Sequence, residues 1–127
     1  VMIKFISHVQ VPANNLDHSI EWYVKFLGGT LAANFGDFAI IDLHEGPNIN
    51  LWKTDDKTTS TFTVNGKPFP TIGIEVEDIE QVIHSIKDSG SDYEGDGHPV
   101  YDEEGRKFFR FFDPTGNMIA VHEEPKR

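Results

Sequence analysis

The sequence predicts an α+β fold built from two tandem βαβββ modules whose curved mixed sheets enclose a cavity. Three observations lead there. A strand–cap–helix–glycine unit occurs twice, the short strands after each helix align at a second constant offset, and the strands carry one face too polar to be plain core. A chain of 127 residues suits one domain, here residues 1–127, and can bury about two-thirds of its extended-chain surface.

The elements follow in order. Residues 2–12, MIKFISHVQVP, alternate as a strand does, with Ile3, Phe5, Val9 and Val11 on one face and Lys4, Ile6, His8 and Gln10 on the other. Val1, ahead of Met2, is expected to lie outside the fold. Asn14–Asn15 is a helix-capping signal. Leu16, Ile20, Tyr23, Val24 and Leu27 then form an amphipathic stripe that Gly28–Gly29 terminates. Residues 30–36 and the segment DFAIIDLHEGPNINLWK supply the remaining strands of a first module over residues 2–53.

Residues 54–70, rich in Thr, Ser, Asp and Lys, form a linker of a length that marks a module boundary. Residues 71–124 make the second module. Ile72, Ile74 and Val76 form a strand face, Asp78 caps, Ile79, Val82, Ile83 and Ile86 make the helix stripe, and Gly90 ends it. An offset of 63 aligns Val9 with Ile72 and Ile20 with Ile83, and an offset of 70 aligns Ile41 with Phe111 and Ile49 with Ile119. Tyr93–Tyr101 is the counterpart of residues 30–36.

Strand parity assigns the inward face. If Val9 and Val11 pack on the helix, then His8, Gln10, Asn48, Asn50 and Trp52 look into the cavity, with Phe38, Ile40 and Asp42. From the second module come Thr71, Gly73, Glu75, Phe108, Arg110, Phe112, Met118, Ala120 and His122. Phe109 and Phe111 pack under the helix. Arg110 interrupts four phenylalanines, and its guanidinium needs a carboxylate. Glu75 and Asp42 are internal candidates, and a ligand carboxylate is the other reading.

Charge excludes some functions. The formal net charge is −10, and residues 75–104 hold eleven acids against one lysine. Such a field repels a phosphate backbone, so no nucleic-acid partner is expected; it attracts a cation, or simply solubilises the surface. The absence of cysteine excludes disulfides and thiol chemistry. No apolar run suits a bilayer and no secretory start is seen, so no membrane partner is expected and the expected location is cytoplasmic. No Ser–His–Asp order, phosphate-binding glycine loop or His-Glu-x-x-His motif occurs.

HVQVPANNLDHSIEWYVKFLGG and the later FFRFFDPTGNMIAVHE resemble the vicinal oxygen chelate superfamily, which includes glyoxalase I, bleomycin-resistance proteins, fosfomycin-resistance thiol transferases and extradiol dioxygenases. In members that do metal chemistry, the resemblance places His, Glu or Gln at positions that here hold His8, Asn50, Thr71 and Ala120. Only His8 is a good ligand among them, and an ion with an open catalytic position needs about three protein donors. The resemblance with this broken ligand set therefore implies a protein of the bleomycin-resistance type, binding a small organic ligand without the usual metal tetrad or any cofactor, and the aromatic lining and acidic half favour a cationic aromatic guest. The expected ligand-binding residues are His8, Gln10, Asn50, Trp52, Glu75, Phe108, Arg110 and His122. The alternative is a metal-dependent lyase, isomerase or dioxygenase with shifted ligands such as His8, Glu75 and His122, holding a divalent ion; a third reading is a regulatory module with a vestigial cavity. The two modules of one chain could close over each other, but resembling proteins more often pair modules across two chains, so a homodimer is expected.

Overall fold

The computed structural model describes residues 2–126; Val1 lies outside them. Residues up to Thr59 form one compact unit and residues from Ser60 form a second. In the first, strand β1 (His8–Ala13) leads into helix α1 (Leu16–Lys25), then β2 (Thr30–Asn34), β3 (Phe38–Asp42) and β4 (Asn48–Lys53). The sheet order is β1-β4-β3-β2, with β1 parallel to β4 and the other pairs antiparallel. In the second, a hairpin of β5 (Phe62–Val64) and β6 (Lys67–Phe69) precedes β7 (Ile72–Glu75), helix α2 (Ile79–Ser89), β8 (Val100–Tyr101), β9 (Lys107–Phe112) and β10 (Met118–Glu123). Its order, β7-β10-β9-β8, repeats that of the first, including the parallel β7–β10 pair.

Each unit buries one sheet face under one helix. Val11, Ala13, Ala39, Ile41, Ile49 and Leu51 are buried in the first, and Ile72, Phe109, Phe111, Ile119 and Val121 in the second. The caps are as the residue types dictate. The Asn15 side chain accepts from the His18 N–H at 3.1 Å, and the Asp78 side chain from the Gln81 N–H at 3.3 Å. After α1, Gly28 adopts φ +78°, and a Cβ on Gly29 would lie 2.6 Å from Ile41, so only glycine lets the chain return this closely to β3.

The turn before β10 rests on Asp113. Its carboxylate accepts from the backbone N–H groups of Thr115, Gly116 and Asn117 at 2.9–3.0 Å and from the Asn117 amide at 2.7 Å. The fully buried Asn117 accepts in turn from the Ser60 N–H at 2.8 Å. The Asp-Pro-x-Gly-Asn phrase at 113–117 thus closes a turn and ties down the start of the unit.

Four expectations are corrected. The first strand begins at His8 rather than at residue 2, because β4 starts opposite it in the register His8↔Asn48 and offers earlier residues no ladder partner. Ile3, Phe5 and Ile6 are consequently exposed. Helix α1 is rotated: Ser19, Trp22 and Tyr23 are buried with Leu16, while Val24 is exposed. The large Trp22 ring claims the interior over the smaller valine, packing edge-on to Tyr23 at 4.9 Å. The 54–70 stretch contains the β5–β6 hairpin, turned by Asn65-Gly66 with both φ values positive. Finally, Met118 is 1% exposed and belongs to the core, not to a site lining.

At the β8–β9 connection, Asp102 accepts from the N–H groups of Glu104 and Arg106 and from the Arg106 guanidinium at 2.7 Å. Partial burial pulls its carboxyl up, but these bonds, led by the Arg106 N–H, outweigh that and hold it below its ordinary 3.8. Because the folded value is the lower one, the contribution is present above 3.8 and is lost as pH falls through the depressed folded value. Asp102→Asn should therefore melt below wild type at pH 6, and the gap should narrow progressively in thermal scans taken to pH values below about 3.8. A gap that stays constant with pH would assign the loss to something other than this carboxylate.

Candidate functional site

One helix covers one face of each sheet, so the other face carries the polar and aromatic residues. In the first unit it holds His8, Gln10, Phe38, Asn50 and Trp52. Trp52 pairs in register with Phe38 on β3, and their rings stack at 4.4 Å with an interplanar angle of 14°. Phe35, at the β2–β3 turn, extends the stack onto Phe38 at 4.9 Å and 27°. The Trp52 indole N–H donates to the Gln10 side-chain oxygen at 2.5 Å. Both ends of this ladder are open, with Phe35 63% and Trp52 39% exposed. With its N–H already satisfied, Trp52 offers mainly its apolar, electron-rich ring. Asn50, by contrast, is buried. Asp42 is turned to its own loop, accepting from the His44 N–H at 2.7 Å.

In the second unit the same face holds Glu75, Phe108, Arg110 and His122. Arg110 lies 3.8 Å from Glu94, and its guanidinium carbon sits 4.4 Å from the centre of the Phe69 ring. Its partner is therefore Glu94, and neither Glu75 nor Asp42. Glu75 instead approaches His122 Nε2 at 3.6 Å across the β7–β10 pair. The His122 ring also lies 6.0 Å from that of Phe108, its register partner on β9. A cleft of about 460 Å³ is lined by Glu94, His98, Val100, Phe108 and Arg110, among others.

The positions at which the resemblance implies a metal can be tested by their donors. His8 Nδ1 is engaged by the Ser7 hydroxyl at 2.9 Å. The Thr71 hydroxyl donates to the Ser60 carbonyl, Asn50 offers only an amide, and Ala120 has no donor. This set does not fit a divalent ion. Of the shifted set, Glu75 and His122 meet within the second unit, where Glu124 joins them, and His8 lies in the first unit.

Phe35, Phe69, Glu94 and Glu124 are absent from the expected site. Phe35 could have been found from the short Phe-Gly-Asp-Phe turn, which must bring its two rings together. Glu124 follows from the parity that selects His122. Glu94 lies in an acidic loop whose path strand alternation does not reach.

A repeated βαβββ unit, each copy with one sheet face free of its helix, defines a scaffold that presents a lined surface rather than a sealed core. The chain belongs to the glyoxalase/bleomycin resistance protein/dioxygenase superfamily, whose family model matches residues 5–121. No curated protein matches it in sequence. Among solved structures it is similar to a glyoxalase/bleomycin resistance protein/dioxygenase from Alicyclobacillus acidocaldarius, with 23% identity, 95% of this chain and 92% of that one covered, and a TM-score of 0.70. It is similar also to TioX from Micromonospora sp. ML1, at 15% identity, 96% and 100% coverage and a TM-score of 0.74. The genomically encoded fosfomycin resistance protein FosX from Listeria monocytogenes gives 16%, 98% and 96%, and 0.76. These likenesses establish the fold.

Proposed function

We propose that the chain binds a small, planar organic cation on the free face of its first sheet, using the Phe35–Phe38–Trp52 ladder, and does so without a metal at the family's usual positions. The observation that carries this reading is the ladder itself. Three rings in stacking order, exposed at both ends, are held on a rigid sheet, with Gln10 fixing the indole. A flat guest extends the stack, and a positive charge over an electron-rich ring adds about 0.5–2 kcal/mol. The net charge of −10 favours the approach of a cation and disfavours that of an anion. Fosfomycin resistance in one structural neighbour, and bleomycin resistance in the family's description, accord with capture of small molecules. Arg110, paired with Glu94 and laid on Phe69, serves here as a structural element of the second sheet.

Ethidium, as a planar cation, and a neutral polycyclic aromatic of similar size are the probes. Calorimetry should show ethidium binding more tightly than the neutral compound. Trp52→Ala should weaken ethidium about 5- to 30-fold, the equivalent of about 1–2 kcal/mol. Equal binding by wild type and the variant would defeat the reading.

We also read the chain as cytoplasmic and as a homodimer, the dimer being supported by the apolar Ile3, Phe5 and Ile6, which would otherwise stay in water. Sedimentation at micromolar concentration should give twice the chain mass, and a monomer there would contradict it.

A further inference from the structure

Strand β10 ends in an alternation that one buried contact locks. The Glu123 carboxylate is turned to the helix side, where it accepts from the Ile79 N–H at 2.9 Å and faces Lys107 Nζ at 3.5 Å. It is 8% exposed. With Glu123 held there, His122 projects to the opposite, free face, and Glu124, the first residue past the strand, brings its carboxylate to the same group. On the neighbouring parallel strand Glu75 is the register partner of His122, and the two strands are held level by the Val76 N–H donating to the His122 carbonyl at 2.8 Å.

The result is one imidazole nitrogen and two carboxylates with all ligand atoms within 4.8 Å of one another. Donors bound to one ion at about 2.0–2.2 Å lie no more than about 4.4 Å apart, so small rotations of the two exposed glutamates close the set. His122, 30% exposed in its side chain and beside Phe108, is the fixed member. A plain ion pair does not account for the third group. The imidazole carries at most one positive charge against two carboxylates, so the triad stays negative in either protonation state, and a divalent cation neutralises it.

We propose that Glu75, His122 and Glu124 form a divalent transition-metal site at the end of the second sheet, with ligands displaced from the positions the family uses. The imidazole selects a first-row ion such as zinc over magnesium or calcium, which prefer all-oxygen sets. Three protein donors leave coordination positions open to water or an incoming ligand. The proposal is independent of the aromatic ladder and uses none of its residues.

The test is calorimetric titration of the full, EDTA-stripped and dialysed protein with zinc chloride. Saturation at one ion per chain is expected, undiminished by a hundredfold excess of magnesium. His122→Ala and, separately, the surface change Glu124→Gln should each weaken zinc at least about tenfold. His84→Ala removes an exposed histidine paired with Asp88 on α2 and should leave zinc binding unchanged, as should His8→Ala. Circular dichroism checks that each variant is folded. Absence of saturable binding, binding that survives both ligand changes, or binding lost in His8→Ala would each overturn the proposal.

Discussion

Everything in this molecule depends on a mismatch between sheets and helices. A sheet has two faces, and each unit supplies only one helix to cover them. Alternation then divides every strand into a side that packs and a side that does not. Val11, Ile41, Ile49 and Leu51 disappear beneath α1, while their neighbours Gln10, Asn50 and Trp52 are left on the other face. The same rule, applied at an offset in sequence, puts Phe109 and Phe111 under α2 and Phe108 and Arg110 opposite. Any function built on the sheets has to be written in the residues of the uncovered faces.

The two faces are written differently. The first carries rings whose polar atoms are already satisfied, a surface suited to stacking. The second carries charge: an arginine neutralised locally by Glu94 and, at the strand end, an imidazole with a surplus of carboxylate. The positions at which the resemblance implies a metal keep one good donor, His8, without leaving the second face devoid of chemistry. Ala120 removes a ligand from the middle of β10, while His122 and Glu124 place donors toward its end.

Much of the fold was legible in the sequence because the signals were local or repeated. Asn15, Asp78, Gly28 and Gly90 mark helix ends through their own backbone preferences, and the two offsets identify a duplicated unit. Parity also placed Trp52, Gln10, Glu75 and His122 on free faces. What failed depended on partners distant in sequence. The start of β1 is set by where β4 begins, and the rotation of α1 by how Trp22 fits its sheet. The partner of Arg110 lies in a loop without periodicity, and Phe35 enters the stack through a turn rather than a strand. The Asn65-Gly66 hairpin was readable from its turn residues, but the polar composition around it pointed to a linker.

The central claim is that recognition occurs at the open ring of Trp52 and not at the helix-covered side. The chain carries two tryptophans, Trp22 buried at 3% exposure and Trp52 at 39%, so one spectrum reports on both sides of the first sheet. The direct measurement is a proton–nitrogen correlation spectrum of the indole groups during titration with ethidium. The account predicts that the Trp52 resonance shifts and saturates while that of Trp22 stays in place. A saturable shift at Trp22 with Trp52 unmoved would contradict it.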